Sequence, residues 1–320
     1  MSDETKLLFT NIFGYSLPIL LGMGAIGNLF SFITFSRNKF RKTSFSLYFR
    51  VLAICDTFTL LYTINDMQNE LFGIDLQNSS HFWCKTASYW QYSIAPVSGW
   101  LLVVISMERM LNIIRPNKYL FMKNKKTQAL ICCLNFAYNF IFYIPMIVYK
   151  DYQEQEDQND TNSTEIVYKC VDLEEETVVY WLDLLNSTIL PFLMMAFCTS
   201  ITVTRIFKSR SKAIAENKHA NAQSYKLKHR DIKFAVTSVV LNVLFFVFNL
   251  PVCVFYLVSD YVYMDDVDAN LIYSITLFCY YLNFSVVFYV NLLSNHFFRH
   301  ELLVFLRFRK PSQEIHTIHF

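Results

Sequence analysis

A single carboxylate, that of Asp56, lies near the middle of an otherwise apolar run. A second ionic element, Glu108 with Arg109, stands at the end of another long apolar run. Charged side chains are costly inside a lipid bilayer, so Asp56 must face polar groups within a bundle of helices, and a functional site is the first hypothesis for it. The chemistry that these residue types offer is ion binding and ion pairing.

The cysteines divide into two groups by position. Six lie inside apolar runs, where a thiol is most simply a small apolar side chain; these are Cys55, Cys132, Cys133, Cys198, Cys253 and Cys279. The other two are Cys84, which opens the third apolar run, and Cys170, which lies in the long loop after the fourth. Both face the oxidising compartment, and a disulfide between them would tie that loop over the bundle.

No residue pattern indicates an enzyme. The seven His are scattered, no metal-ligand spacing occurs, and the six Gly form no phosphate-binding loop. The basic stretch 205–233 lacks the interleaved aromatic residues of a nucleic-acid surface. We therefore expect a protein that is not an enzyme, binds no nucleic acid and uses this basic stretch to dock a partner.

The composition predicts that membrane helices position these residues. The chain of 320 residues is 54% hydrophobic and 17% charged, which is too apolar for a water-soluble domain. About 20 mostly apolar residues cross the hydrocarbon core, and only helices satisfy their own backbone there. We predict an all-α membrane protein, a seven-transmembrane helix bundle over 13–293, with spans near 13–36, 45–70, 83–114, 127–149, 178–208, 231–259 and 269–293.

Charge sets the orientation of this bundle. All Lys and Arg except Lys6, Lys85, Lys150 and Lys169 fall on the side opposite the N-terminus. The positive-inside rule therefore predicts a multi-pass plasma-membrane protein with its N-terminus extracellular. Residues 1–12 would form that N-terminus without a cleavable signal. Residues 294–320 would form a cytoplasmic amphipathic helix and tail, and the inner basic residues would also attract anionic membrane lipid.

The outer side is acidic and carries potential glycosylation sites. Most Asp and Glu lie there, and they would raise the local concentration of a cationic ligand, although such acidity is also common as plain solvation. Sequons at Asn78, Asn159 and Asn162 share this side, so we expect glycans at them. Two further sequons, at Asn186 and Asn283, fall within the spans and are expected to remain unmodified.

Several of these residues stand in register with one known family. The markers in chain order are Gly27-Asn28, Leu52-Ala53-Ile54-Cys55-Asp56, Cys84, Glu108-Arg109-Met110, Pro191, Pro251 and Phe298-Arg299, the last opening a short amphipathic helix through about Phe308. The chain resembles the rhodopsin-like (class A) family of G-protein-coupled receptors over nearly its whole length. The resemblance implies a receptor that carries a signal from an extracellular ligand to a heterotrimeric G protein.

The family registry assigns two internal sites. Asn28, Asp56, Ser98 and Asn283 resemble the pocket that holds an allosteric sodium ion in the resting receptor. The alternative is a hydrogen-bonded polar core without an ion, and no other cofactor is expected. The second site is an activation switch in which Arg109 pairs with Glu108 and, by registry, with Asp231, so that breaking the bridge frees helix six. A purely structural ion pair is the alternative there.

The chain also departs from the family pattern in its last helices. Asn249 stands where helix six usually has a Trp, and Thr199 stands where helix five often has a Tyr. Residues 287–291 replace the family's Asn-Pro-x-x-Tyr motif in helix seven. These departures put the usual movement of helices six and seven in doubt more than the fold.

The ligand class is narrowed partly by elimination. Gln91 replaces the Asp of amine receptors, and no Lys for retinal occurs within 269–293. The chain then looks most like an invertebrate FMRFamide-like peptide receptor, with a long acidic loop 150–177 that contains a short hairpin at 166–171. Helical phase carried over from the family predicts a ring of residues around a cavity for a small cationic or amidated peptide. These residues are Asp66, Glu70, Gln91, Tyr92, Asp183, Tyr273 and Tyr281. The alternative for Asp66 and Asp183 is hydration at the helix mouths.

Two alternative functions are compatible with much of this description. A scavenging receptor would retain the fold without signalling, and the departures in helices six and seven favour it. A transporter or channel is the rival from another class, but the sequence shows no inverted repeats and only one acid near the middle of the membrane.

Overall fold

The computed structural model describes residues 3–41, 43–114, 122, 124–158, 164–172, 181–215, 222–259 and 266–308. Within these ranges, six helices are long and apolar enough to cross a membrane, and one bent pair of helices supplies a seventh crossing. This confirms the seven-helix bundle that the sequence predicts.

Seven helical spans, numbered here in chain order, make up the bundle. Their bounds are Asp3–Ser36 for helix one, Ser46–Leu61 with Thr63–Phe72 for helix two, His81–Ile114 for helix three, Lys125–Phe142 with Pro145–Val148 for helix four, a π-helical turn Leu184–Ile189 with Leu190–Ala215 for helix five, Ala222–Ser259 for helix six, and Asp266–Ser285 with Val287–Ser294 for helix seven. Short helical segments at Asn38–Arg41, Gln77–Ser79 and His296–Phe305 lie between or after them.

Apolar side chains face both inward and outward. Outward-facing side chains such as Ile19 and Phe197 are exposed, as lipid contact requires. The main core lies toward the end of the bundle that the charge pattern predicts to be cytoplasmic, where Phe35 stacks on Phe49 with ring centroids 4.6 Å apart. We call this end the cytoplasmic end and the opposite one the outer end. Phe298 of the C-terminal helix is fully buried against Phe35, so this helix is docked on the bundle.

A two-stranded antiparallel hairpin covers the outer end, with β1 at Lys150–Gln158 and β2 at Thr164–Asp172. It is longer than the hairpin expected at 166–171, because both strands extend through their polar residues. A disulfide joins Cys84 at the start of helix three to Cys170 in β2, with Cα atoms 5.4 Å apart. The predicted bond is therefore confirmed, and it anchors the hairpin to helix three.

Helix seven is bent by 53° between its two parts, although the sequence has no proline there. The Ser285 hydroxyl donates to the carbonyl of Leu282 at 3.0 Å, and such back-bonding often bends a helix. Helix one approaches the bend closely, because a Cβ on Gly27 would lie 3.1 Å from Cβ of Phe288. The single predicted span 269–293 is thus two helical pieces.

Both ends of the chain differ slightly from the predicted boundaries. Helix one begins at Asp3, so its helical path includes most of the segment 1–12. The C-terminal helix occupies His296–Phe305, close to the amphipathic helix expected from Phe298 to about Phe308. Its Glu301 forms ion pairs with Arg37 at 3.1 Å and Lys39 at 2.8 Å.

Candidate functional site

A polar cavity of about 270 Å³ opens at the outer end of the bundle. Helices two, three, five, six and seven, the short segment Gln77–Ser79 and the first residue of β1 contribute to its wall. Its polar and aromatic lining residues are Tyr62, Asp66, Gln77, Ser88, Gln91, Tyr92, Lys150, Asp183, Ser187, Thr188, Tyr256, Tyr273 and Tyr280. The structure therefore brings Asp66, Gln91, Tyr92, Asp183 and Tyr273 to one cavity, as the family phase predicts.

Tyrosine hydroxyls hold both acids of the cavity. The hydroxyl of Tyr281 donates to Oδ2 of Asp66 at 2.5 Å and accepts from Nε2 of Gln91 at 3.3 Å. Tyr143 donates to Oδ1 of Asp183 at 2.6 Å. Tyr281 is fully buried and supports Asp66 from behind instead of lining the cavity.

One predicted cavity residue lies outside the described side chains, and several lining residues were not predicted. The side chain of Glu70 is the one that the structure does not describe. Sequence reasoning missed Lys150, Tyr62 and Tyr280. The spacing from Tyr273 through Leu277 to Tyr280 on helix seven is a helical-face signal that would have found Tyr280. No such signal places Lys150, because its position depends on how the hairpin lies over the bundle.

Behind Asp183, a buried carboxamide joins helices three, four and five. Asn186, in the π-helical turn, is 1% exposed. Its Oδ1 accepts from Tyr138 at 2.8 Å and from Trp100 at 3.2 Å. Its Nδ2 donates to Oδ1 of Asn139 and to the hydroxyl of Tyr143, both at 3.2 Å. All four hydrogen-bonding positions of the amide are therefore used.

Asp56 lies in a buried polar region between the two ends. The four residues assigned to the sodium pocket, Asn28, Asp56, Ser98 and Asn283, are all buried, and Ser98 lies beside Asp56. Asn28 donates to the carbonyl of Phe284 on helix seven at 3.1 Å. Oδ2 of Asp56, Oγ of Ser98 and Oδ1 of Asn28 have no hydrogen-bond partner within the described part of the chain.

At the cytoplasmic end, Arg109 is enclosed by an acid and two aromatic rings. It is 4% exposed, and its guanidinium lies 2.8 Å from Oε2 of Glu108. The same guanidinium lies 3.9 Å from the ring centroid of Phe45 and 5.8 Å from that of Phe234 on helix six. Ser44 and Asn112 donate to the other oxygen of Glu108. The side chain of Asp231, the third residue of the expected switch, lies outside the described ones.

A polar cluster one turn above Arg109 links helices three, five and six. Nδ2 of Asn242 on helix six donates to Oγ of Ser106 on helix three at 2.9 Å and to Oγ1 of Thr199 on helix five at 2.8 Å. Ser238 adds a hydroxyl contact to Ser106 at 3.2 Å. Thr199 therefore takes part in an interhelical contact at the position where family members often have a Tyr. We call this group the Asn242 cluster.

The sequons differ in accessibility. Asn78 is exposed beside the hairpin, and its Oδ1 accepts from the backbone N–H of Cys170 at 2.8 Å. Asn186 and Asn283 are buried, consistent with the expectation that they are unmodified. Asn159 and Asn162 fall outside the described residues.

The comparison with known families agrees with this architecture. The model of the seven-transmembrane receptor family (rhodopsin family) matches residues 27–289. The chain belongs to this family. It is therefore a multi-pass membrane receptor of the rhodopsin family, a class whose members generally respond to extracellular ligands through G proteins and are not enzymes. Among curated proteins, none matches this rhodopsin-family receptor significantly.

Proposed function

We propose that this receptor binds a small cationic or amidated neuropeptide, of the kind bound by FMRFamide-like receptors, and activates a heterotrimeric G protein at the plasma membrane. The N-terminus is then extracellular and the cavity faces the outside. The observation that supports this most is that Asp66 and Asp183, from helices two and five, line one cavity among tyrosine rings.

The size and chemistry of the cavity suit the end of a peptide. Ligand pockets commonly measure about 300–1,000 Å³, so a cavity of about 270 Å³ takes one or two residues and leaves the rest of a peptide against the hairpin. A carboxylate forms charge-assisted, often bidentate bonds with an arginine side chain. Rings such as Tyr92 and Tyr273 can stack on a neighbouring phenylalanine or on the guanidinium itself.

Signal transfer to the G protein requires the cytoplasmic end to open. With Arg109 enclosed by Glu108, Phe45 and Phe234, the arginine is inaccessible to a partner protein. Outward movement of helix six would remove Phe234 from Arg109, and it would break the ion pair with Asp231 that the family registry predicts. Agonist binding would shift the population toward that open state.

A sodium ion beside Asp56 would stabilise the closed state. The buried oxygens of Asp56, Ser98 and Asn28 fit this proposal, because hard cations prefer oxygen ligands and a buried carboxylate needs a counter-charge. These residues would hold the ion, which supplies positive charge inside the bundle. A rise in agonist affinity after sodium is replaced by a larger organic cation would support this site.

Ligand-dependent nucleotide exchange tests the proposed function. Membranes from cells that express the chain are mixed with purified heterotrimeric G protein and screened against basic and amidated peptides. Accelerated GTPγS binding with at least one peptide is the expected result. Saturable peptide binding without exchange would instead favour the scavenging receptor. The departures from the family motifs at Asn249 and 287–291 are compatible with that alternative. Solute flux in vesicles would favour a transporter.

A further inference from the structure

An arginine lies on the lipid-facing side of helix two. The exposed apolar residues Ile54, Phe58 and Leu61 follow one another at helical spacing and so form one face of this helix. Arg50 lies one turn before Ile54, which places it on the same face. It is also one turn from the start of the helix at Ser46, a rise of about 6 Å. Arg50 therefore faces lipid close to the cytoplasmic end.

The side chain of Arg50 extends toward the cytoplasmic end. Its Nε donates to the carbonyl of Ser46, one turn nearer that end, at 3.3 Å. The guanidinium also lies close enough to Arg41, in the short segment Asn38–Arg41, for their like charges to repel each other. Long basic side chains near the ends of membrane helices extend in this way toward the lipid headgroups. Two guanidinium groups therefore lie together where the headgroups of the cytoplasmic leaflet are expected.

Neither of these two arginines has a carboxylate partner among the described side chains. Glu108 pairs with Arg109 at 2.8 Å. Glu301 pairs with Arg37 and Lys39. No other carboxylate at the cytoplasmic end has a described side chain. Two neighbouring positive charges repel each other, and N–H donors at the edge of the bilayer need acceptors, so an anion from outside the chain would satisfy both needs.

We propose that Arg41 and Arg50 bind the headgroup phosphate of an anionic phospholipid in the cytoplasmic leaflet. Guanidinium groups form charge-assisted, often bidentate bonds with phosphate oxygens, and anionic lipid is concentrated in this leaflet. The acyl chains lie along Ile54, Phe58 and Leu61, so the site fits a lipid better than a free phosphate. The bound lipid joins helix two to the segment that follows helix one. The site is independent of the proposed function, because it does not involve the ligand cavity.

Native mass spectrometry of the purified full-length receptor in a neutral detergent tests the proposal. The probes are phosphatidic acid and phosphatidylcholine with identical acyl chains, which differ only in the headgroup. Each lipid is titrated, and the fraction of receptor that carries one lipid gives the apparent dissociation constant. A further titration adds inorganic phosphate to the complex with phosphatidic acid. This readout needs neither an agonist nor a G protein, so its outcome is separate from that of the exchange assay.

Phosphatidic acid is expected to bind about tenfold more tightly than phosphatidylcholine. Arg50→Gln and Arg41→Gln should each weaken its binding about fivefold, which corresponds to about 1 kcal/mol. Arg205→Gln is the matched control, because Arg205 is an exposed arginine on helix five, which packs against helices three and six.

Three results would show that the proposal is wrong. These are equal affinity of the unmodified receptor for the two lipids, unchanged affinity for phosphatidic acid in Arg50→Gln, and an equal loss of affinity in Arg205→Gln. Displacement of the lipid by excess inorganic phosphate would also overturn it, because the site would then bind the free anion. Since the first comparison uses the unmodified receptor, it does not depend on the folding of a variant.

Discussion

The two ends of this receptor bury charge in different ways. At the outer end, Asp66 and Asp183 face an open cavity, and a tyrosine hydroxyl holds each one. At the cytoplasmic end, Arg109 is wrapped by an acid and aromatic rings, with little space beside it. Under the proposed function, a ligand would enter the outer site of this conformation, whereas a cytoplasmic partner would reach Arg109 only after helices separate.

The largest expected effect concerns the disulfide that anchors the hairpin over the outer end. Cys84→Ser or Cys170→Ser should abolish most surface expression, because loss of a native disulfide typically costs about 2–5 kcal/mol and here frees the hairpin. Surface biotinylation measured against total protein tests this. Cys133→Ser is the control, since Cys133 is an exposed free thiol. Detection of both cysteines as free thiols in the mature protein would contradict the prediction.

The next effect tests whether the open end is a binding site. Asp66→Asn and Asp183→Asn should each reduce the potency of a cationic agonist at least tenfold, because removing one partner of a desolvated charge pair costs about 2–5 kcal/mol. Concentration-response curves for nucleotide exchange measure this. Glu154→Gln, an exposed hairpin acid outside the cavity, should leave potency unchanged. If both cavity variants stay within about threefold of the wild type, the acids are only surface charge.

The third effect concerns the contacts that hold helix six at the cytoplasmic end, and it is measured as signalling activity without ligand. Asn242→Ala removes contacts from helix six to helices three and five, each worth about 1 kcal/mol, so basal nucleotide exchange should rise several-fold. Asp231→Ala should raise it as well. Asn249→Ala is the matched control, because its described hydrogen bond goes to Phe245 of its own helix. Unchanged basal exchange at equal surface expression in both test variants would show that neither contact keeps helix six closed.

The smallest effect concerns the C-terminal helix. Burial tends to raise the pKa of Glu301, but hydrogen bonds from Lys39 and Arg37 outweigh it and lower the pKa below its usual value. The ion pairs therefore stabilise the fold above the unfolded pKa of about 4.3, and this stabilisation is lost as the pH falls through the folded pKa. Glu301→Gln should lower the free energy of unfolding at neutral pH by about 1 kcal/mol or less. Thermal unfolding at neutral and acid pH measures this, and the difference from wild type should vanish in acid. A difference that persists in acid would contradict this explanation.

Much of the fold was predictable because it depends on length and polarity along the chain. Apolar runs set the seven spans, and compartment together with position identified Cys84 and Cys170. The bend in helix seven was not predictable, because it depends on Ser285 and on the close approach of helix one at Gly27. The family's Asn-Pro-x-x-Tyr motif in this region contains a proline, and the chain has none there.

The candidate site was only partly predictable for a similar reason. Helical phase placed Asp66 and Gln91 at the observed cavity, since both lie on regular helices. Asp183 also lines the cavity, directly before the π-helical turn. Lys150 comes from a loop that crosses the bundle, and its place depends on tertiary contacts. The same holds for Phe45, which reaches Arg109 from the turn before helix two.

The saturated amide of Asn186 has a consequence for measuring receptor motion. Its four bonds join helices three, four and five into one unit beside the ligand cavity. Spin labels placed on two of these helices in their outer halves should keep a constant separation when agonist is added. Labels that pair helix four with helix six should report the change, which makes helix four the natural reference frame for distance spectroscopy on this receptor.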